Sequence, residues 1–120
     1  MEKTNALSGL SALAQESRLD IFRLLVQTGR QGCAVGRIGE RLGLPSATLS
    51  FHLGQLRHAG LVTVRRDGRS LIYAANFEVM NGLIAYLMEN CCGGDADCAV
   101  APNVACSPAQ GARAQESAGP

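Results

Sequence analysis

The chain has 120 residues, 47% of them hydrophobic and 18% charged, with a formal net charge of +1 at pH 7. That length supports one domain whose small core gains from pairing with a second copy, and no apolar run approaches the roughly 20 residues of a membrane span. The N-terminal residues lack the basic-then-apolar layout of a secretory signal, so we expect a cytoplasmic protein with no membrane partner.

The small net charge hides an uneven distribution of charge along the chain. Residues 30–69 hold seven arginines against Glu40 and Asp67, a local charge of +5, whereas the remainder holds four basic and eight acidic residues, a charge of −4. A basic block between acidic flanks favours a surface that faces phosphate. Ordinary solvated arginines explain the block equally well, so the predicted elements must decide.

Hydrophobic spacing predicts three helices in the first 42 residues. Apolar residues recur at helical steps over residues 4–28, with an interruption at residues 15–17, which predicts two helices. A shorter apolar stripe predicts a third helix over residues 34–42, and Gly43 is a typical C-terminal stop. Cys33 precedes this helix in a predicted loop, where we expect a small buried hydrophobe rather than a ligand.

A fourth helix begins at Pro45 or Ser46, because Ser46 can accept a backbone N–H bond as the N-cap or Pro45 can occupy the first turn. Its apolar stripe consists of Leu49, Leu53 and Leu56. The opposite face carries short polar side chains that suit close approach to a base edge or a phosphate. Taken alone, such a face is more typical of a plain surface helix.

A hairpin follows the fourth helix and changes that balance. Two β-branched runs flank Asp67-Gly68, a strong two-residue turn signal, which predicts that Val64 pairs with Leu71 and Val62 with Tyr73. The tip is rich in arginine: Arg65, Arg66 and Arg69. A short helix, a tight connection, a second helix and an arginine-tipped hairpin indicate a winged helix-turn-helix, whose wing contacts phosphates or the minor groove.

The last helix starts at Asn76 or Phe77, and its apolar seam is more than one small domain can bury. The first helix has a comparable leucine stripe, so we predict a two-fold homodimer through the first and last helices. The alternative is that both helices cap the core of a monomer. The expected fold is mainly α with a β-hairpin, in the order ααααββα, with recognition helices about 34 Å apart in the dimer. The predicted dimer contacts are Leu7, Leu10, Met80, Leu83, Ile84 and Leu87.

These residues carry a recognisable pattern. The segment LAQESRLDIFRLL, followed by IGERLGLPSATLSFHLGQLRHAGLVTVRRDGRSLIYAA, resembles the ArsR/SmtB family of bacterial winged-helix metalloregulators. With the first and last helices, the resemblance covers about three-quarters of the chain. It implies a homodimeric repressor that binds a two-fold operator and releases it when an inducer binds. The implied DNA contacts are Ser46, Thr48, Ser50, Phe51 and Gln55 in the major groove and Arg65, Arg66 and Arg69 on the wing.

Two positions of the fourth helix need separate interpretation. Phe51 stands where many relatives carry a basic or polar side chain, so its contact is expected to be apolar, for example to a thymine methyl group. Histidines bind metal in some relatives, but His52 flanks the Leu49 stripe, and we expect a structural role for it rather than ligation. His58 lies on the outer face, where it can approach a phosphate.

Members of this family carry their inducer sites in different secondary-structure elements. Two of these sites lack their ligand residues in this sequence. Residues 36–41 contain no cysteine, which excludes the arsenic motif at the start of the helix-turn-helix. Residues 77–90 contain neither Asp nor His, which excludes the zinc-type site of the last helix. The cysteines near the end of that helix remain, and in a reducing cytosol they favour metal binding or redox sensing over a disulfide framework.

Three of the five cysteines lie within eight residues: Cys91, Cys92 and Cys98. Zinc prefers four ligands in a closed tetrahedron, and adjacent cysteines suit it poorly. Trivalent arsenic or antimony is soft and is satisfied by three thiolates. Glycines at residues 93–94 allow the chain to fold back, so we predict that these three cysteines bind As(III) as an inducer, with no constitutive cofactor. Cys106 is the alternative third ligand, and a methylated arsenical would need only two thiols.

The sequence thus divides into a dimeric DNA-binding domain over residues 1–90, a cysteine-rich inducer segment over residues 91–106 and a disordered tail over residues 107–120. We expect a repressor that releases operator DNA on binding As(III), Sb(III) or a methylated arsenical. Alternatives are a thiol-based redox repressor and a Zn- or Cd-responsive repressor of the same family. An enzyme is not expected, because the chain has no phosphate loop, no Cys-x5-Arg loop and no Ser/His/Asp set with a plausible cleft.

Overall fold

The computed structural model describes residues 1–94, which form five α-helices and a three-stranded antiparallel sheet. The elements are α1 (Lys3–Leu13), α2 (Glu16–Thr28), β1 (Cys33–Ala34), α3 (Val35–Leu42), α4 (Ser46–His58), β2 (Val62–Asp67), β3 (Ser70–Ala75) and α5 (Phe77–Leu87). A short 3-10 turn, Cys91–Gly94, follows α5. The winged helix-turn-helix is therefore confirmed, with β1 as an additional strand. None of the helices in this part of the chain is long and apolar enough to cross a membrane.

Apolar side chains of α2, α3 and α4 meet in one core beneath the sheet. The stripe predicted for α4 is confirmed, since Leu49, Leu53 and Leu56 are each no more than 2% exposed. The largest fully buried side chains are Ile21, Leu25, Ile38, Leu53, Leu56 and Leu61. This core fixes which face of α4 remains in solvent.

A glycine ends α3 and an asparagine side chain caps the start of α5, whereas the start of α4 has no side-chain cap. Gly43 adopts a left-handed backbone (φ 67°, ψ 33°) after α3, and the Asn76 side chain caps α5 by accepting the backbone N–H of Val79 at 3.3 Å. The predicted start of α4 at Pro45 or Ser46 is confirmed, but neither alternative for its cap, Ser46 as the N-cap or Pro45 in the first turn, is found. Pro45 occupies the N-cap with an extended backbone, Ser46 is the first helical residue, and no side-chain cap bond forms there.

The hairpin forms as predicted, but its register differs by two residues. Val64 pairs with Tyr73 and Val62 with Ala75, rather than with Leu71 and Tyr73. Asp67 pairs with Ser70, so the two turn residues are Gly68 and Arg69. Gly68 has φ +64°, and a positive φ at the first turn position is typical of a type II′ turn and suits glycine. A two-residue shift keeps each side chain on its predicted face of the sheet.

The strand β1 was not predicted, because two residues carry no periodicity. Cys33 pairs with Tyr73 in the central strand β3, so it lies in the sheet and is half-buried against the core rather than isolated in a loop. The preceding Gly32 has φ +79°, and a Cβ atom there would lie 2.6 Å from the Tyr73 carbonyl oxygen. Only glycine permits this approach of the loop to the sheet.

Candidate nucleic-acid interface

The solvent face of α4 presents the side chains expected to contact bases. Thr48, Ser50 and Gln55 are exposed, opposite the buried leucine stripe. Ser46 is also exposed at the first turn, where its hydroxyl makes no capping bond within the described residues. The N–H groups of a helix N-terminus attract phosphate, so this end of α4 combines backbone and side-chain donors.

Phe51 is the most exposed large apolar side chain of the described residues, with 60% of its surface accessible. Its ring meets the His52 ring edge-on, with centroids 5.6 Å apart and an interplanar angle of 61°. The ring contacts its buried neighbour while most of its surface stays open to solvent. An apolar group in that position suits a thymine methyl group.

The three wing arginines are all exposed, and Arg66 and Arg69 extend toward the end of the hairpin. Arg65 donates an Nη2–H to the backbone carbonyl of Gln31 at 3.0 Å, which holds the base of the wing to the loop before β1. A guanidinium has five N–H donors, so others remain for phosphate. Sequence reasoning missed this bond because its two ends are 34 residues apart.

None of the three wing arginines forms an ion pair within residues 1–94. Within residues 1–94, one ion pair forms, between Arg30 and Glu78 at 3.8 Å, and it lies in the loop before β1 and at the start of α5. The Arg30 guanidinium also lies 5.1 Å from the centroid of the Phe77 ring. The wing arginines therefore retain their charge for an external anion.

His52 is 8% exposed on the inner side of α4, as its structural role requires. Its Nδ1 atom lies 3.4 Å from Nη1 of Arg18. No three His, Cys, Asp or Glu side chains converge as a metal site in the described part of the chain. His58 lies exposed near the end of α4. Arg18 is a residue that sequence reasoning did not select.

The predicted dimer residues divide into three groups by their exposure. Leu7, Leu10 and Leu87 are exposed leucines on α1 and α5, with accessible fractions of 59%, 40% and 57%. Met80 and Ile84 are half-buried, and Met80 packs on the core. Leu83 is buried within the protomer, 3.8 Å from where a Cβ atom on Gly9 of α1 would lie. The first group leaves exposed apolar side chains on two helices that pack together.

The cysteine segment begins directly after α5. The Sγ atoms of Cys91 and Cys92 lie 3.7 Å apart. Asn90 and Cys92 both have a positive φ, 57° and 53°, so the chain turns sharply at this point. The other two predicted ligands, Cys98 and Cys106, lie outside the described residues, as does the predicted tail over residues 107–120.

Comparisons with known proteins agree with this geometry. Residues 13–65 match the profile of a helix-turn-helix domain. The chain is 41% identical over 59 residues to an uncharacterized HTH-type transcriptional regulator of Bacillus subtilis, YceK, covering 49% of this chain and 58% of that protein. It is 33% identical over 94 residues to the transcriptional activator HlyU of Vibrio cholerae, covering 77% and 84%. It is 43% identical over 60 residues to a putative arsenical resistance operon repressor of Halobacterium salinarum, covering 50% and 46%.

Solved structures extend the similarity over more of the chain. Reduced HlyU from Vibrio cholerae superposes with a TM-score of 0.58 at 32% identity, covering 74% of this chain and 90% of that one. An ArsR-like transcriptional regulator from Rhodococcus gives 0.64 at 28% identity, covering 78% and 84%. A homodimeric winged helix-turn-helix DNA-binding domain from Mycobacterium bovis, Mb0332, gives 0.58 at 28%, covering 78% and 86%. The chain spans about half to two thirds of the length of the first curated relatives it matches.

Proposed function

Because the chain belongs to the ArsR-like family of winged helix-turn-helix transcriptional regulators, we propose that it is a homodimeric repressor that binds a two-fold operator. One observation supports this most strongly: the polar face of α4 and the wing arginines are exposed together, and no wing arginine forms an ion pair within residues 1–94. The recognition helix would read base edges in the major groove while the wing binds phosphates and fixes the register.

The proposal of a dimer rests on the exposed leucines of α1 and α5. Leu7 and Leu87 each present more than half of their surface to solvent, and they lie on two helices that pack together. A second copy would remove this apolar surface from water. The homodimeric Mycobacterium bovis domain, similar over 78% of this chain, supports the same assembly.

A selection experiment tests operator binding directly. The full chain is mixed with a library of duplexes carrying random sequence, and bound duplexes are sequenced after several rounds. A two-fold symmetric site is expected, with half-sites about one helical turn apart, roughly 34–36 Å. Recovery of no preferred sequence, with affinity equal to that for random duplex, would contradict sequence-specific operator binding.

The inducer of this repressor is proposed to be As(III), bound by Cys91, Cys92 and Cys98, with Cys106 as the alternative third ligand. Support comes from the two adjacent cysteines, whose Sγ atoms lie 3.7 Å apart. Cys92 is disulfide-bonded in the structure, so arsenite would bind the reduced protein, in which thiolates suit a small, soft ion. The similarity to the putative arsenical resistance operon repressor points to the same inducer class. Antimonite and methylated arsenicals share this thiolate chemistry.

Coupling between inducer and DNA would pass through α5. The cysteines follow α5 within a few residues, and α5 carries part of the proposed dimer surface. Tying the later cysteine back to the end of α5 would change how the two copies pack and thus how far apart the recognition helices stand. A coupling free energy of about 1–3 kcal/mol would weaken operator affinity about 5- to 150-fold.

Replacing Cys91, Cys92 and Cys98 together by serine tests the inducer assignment. The triple variant is expected to bind the selected duplex with normal affinity but to ignore arsenite, whereas arsenite releases the wild type. Cys33→Ser is the matched control, because Cys33 pairs with β3 in the sheet and its loss should leave the arsenite response unchanged within about twofold. Release of DNA from the triple variant by arsenite would refute the assignment.

A redox-sensing repressor is the second candidate, favoured by the same pair of sulfur atoms at 3.7 Å. A related protein, HlyU, has been solved in a form described as reduced. In this alternative, oxidation of a cysteine thiolate by peroxide leads to a disulfide and changes DNA affinity. Treating separate samples with arsenite and with hydrogen peroxide, followed by mass spectrometry of the intact protein, distinguishes a bound metalloid from the loss of two hydrogens.

A further inference from the structure

We infer that Arg18 is a positioning residue for the recognition helix, because its side chain joins the C-terminal end of α1 to His52 in the middle of α4. The inference rests on the proposed operator binding and concerns how the orientation of α4 is set. Since α1 carries part of the proposed dimer surface, Arg18 would transmit the packing of α1 between two copies to the helix that contacts DNA. Arg18 itself need not touch DNA.

Three hydrogen bonds hold Arg18 in place. Its backbone N–H donates to Gln15 Oε1 at 2.9 Å, which caps the start of α2. Its Nε–H donates to the carbonyl oxygen of Ala12 at 2.7 Å, in the last turn of α1. Its Nη1 lies 3.4 Å from Nδ1 of His52. One half-buried guanidinium thus connects α1, α2 and α4.

The chemistry of the two groups fixes who donates. A guanidinium has only N–H donors, so Nδ1 of His52 must accept, and the proton of the neutral ring must lie on Nε2. The Ala12 carbonyl is one of the last carbonyls of α1, which have no intrahelical partner, and a positive group there is favourable. The same guanidinium therefore contacts both acceptors. A displacement of the end of α1 would thus be passed through Arg18 to His52 on α4.

The contacts continue from His52 to the DNA-facing surface. The His52 ring meets the exposed Phe51 ring edge-on at 5.6 Å. At the other end, Ala12 is a buried residue of α1, whose outer face carries Leu7 and Leu10. The path from the dimer surface to a base-contacting side chain thus passes through α1, Arg18 and His52. A role for Arg18 confined to capping α1 would not require the His52 contact.

The experiment compares two duplexes. One is the selected site with both half-sites, and the other is the same duplex with one half-site replaced by random sequence. Arg18→Lys keeps the charge but lacks the planar fork that reaches two acceptors at once. It is expected to lower affinity for the two-half-site duplex about tenfold, within the range of coupling between sites. Affinity for the single half-site should change by less than about twofold. Arg23→Lys, the same substitution at an exposed position of α2, is the matched control and should change neither.

A second pair of variants separates positioning from stability. His52→Gln retains an acceptor for Arg18, whereas His52→Leu fills the buried site without one. The leucine variant is expected to lose the preference for two half-sites and the glutamine variant to keep it, at similar melting temperatures. Equal loss in both variants, or equal loss of full-site and half-site affinity in Arg18→Lys, would overturn the inference.

A measurement without DNA keeps the two proposals distinct. The ¹⁵N chemical shifts of the His52 ring in the free protein should show an unprotonated Nδ1 in the wild type and a changed tautomer balance in Arg18→Lys. If the wild type binds no selected duplex, the proposed operator binding fails while the ring shifts still report the Arg18 contact. If the wild type binds and the ring shifts are the same in Arg18→Lys, the positioning role fails and operator binding stands.

Discussion

The part of the molecule proposed to face DNA, which we call the DNA-facing part, and the cysteine segment after α5 are built in different ways. The DNA-facing part is held by a core beneath α4, by the sheet and by the bond between Arg65 and Gln31. The cysteine segment begins where α5 ends and turns through backbone conformations that are unusual for residues other than glycine, at Asn90 and Cys92. One region is carried on the core and the sheet, whereas the other holds the sulfur atoms that we propose an inducer would bring together.

This difference suits the proposed repressor, because its inducer site would lie apart from the core that carries the DNA-facing surface. A pre-arranged surface binds DNA without paying the cost of ordering its side chains first. A sensor at a helix end can change ligand without disturbing that surface, because within residues 1–94 the side chains that build the core precede the cysteine segment. Variants in the DNA-facing part should therefore change DNA affinity without changing arsenite binding, and variants in the cysteine segment should do the reverse.

The largest effect is expected from removing the wing charges. Replacing Arg65, Arg66 and Arg69 together by alanine should weaken binding to the selected duplex about 100-fold near 0.1 M salt. Because each lost phosphate contact removes about 0.9 from the slope of log affinity against log salt, the slope should become shallower by about 2.7. Fluorescence anisotropy over a salt series measures both quantities.

Arg30→Ala is the control for the wing variant, because Arg30 is exposed but pairs with Glu78 at the start of α5. It should leave the salt slope almost unchanged. Arsenite binding by the triple wing variant, measured by mass spectrometry, should equal that of the wild type. If the variant with all three wing arginines replaced by alanine kept the wild-type salt slope, the wing would not contact phosphate.

An intermediate effect is expected where the two regions meet, at the dimer surface. Leu7→Glu combined with Leu87→Glu would place charges in an apolar interface, which costs free energy because no partner is available for them. The dissociation constant of the dimer should rise at least about tenfold, as measured by sedimentation. Leu19→Glu, at a leucine of α2 that is 42% exposed, should have little effect. A stable dimer in the double variant would assign the interface to another surface.

The smallest effect is expected at Phe51 and concerns specificity alone. If Phe51 contacts a thymine methyl group, replacing that thymine by uracil removes one buried methyl, about 0.8 kcal/mol or roughly fourfold in affinity. The loss should disappear in Phe51→Ala, which is insensitive to the methyl group. Substituting thymines one at a time in the selected duplex identifies the position. Equal sensitivity of both proteins at every thymine would exclude this contact.

Local patterns were sufficient to predict most of the DNA-facing part. The stripe of α4, the stop at Gly43 and the exposed wing arginines all follow from neighbouring residues. The register was harder, because Asp67-Gly68 and Gly68-Arg69 are both plausible two-residue turns, and only the pairing of Asp67 with Ser70 selects the second.

Long-range features were not predictable in the same way. The strand β1 exists only because β3 pairs with it, and Arg18 meets His52, 34 positions further along the chain. No spacing rule in a single sequence connects such residues. The cysteine site remains a prediction from thiolate chemistry, since Cys98 lies outside the described residues while Cys91 and Cys92 are close together.

The close approach of Gly32 to the Tyr73 carbonyl has a consequence for the width of the DNA footprint. In the same loop, the Gln31 carbonyl accepts from the Arg65 side chain and the Arg30 guanidinium lies over the Phe77 ring, so main-chain and side-chain contacts together hold the loop against the wing. Substitutions at the tip of the wing can therefore alter affinity without altering how far the wing stands from α4. We expect the number of base pairs covered by one protomer to stay constant while the sequence of the tip varies.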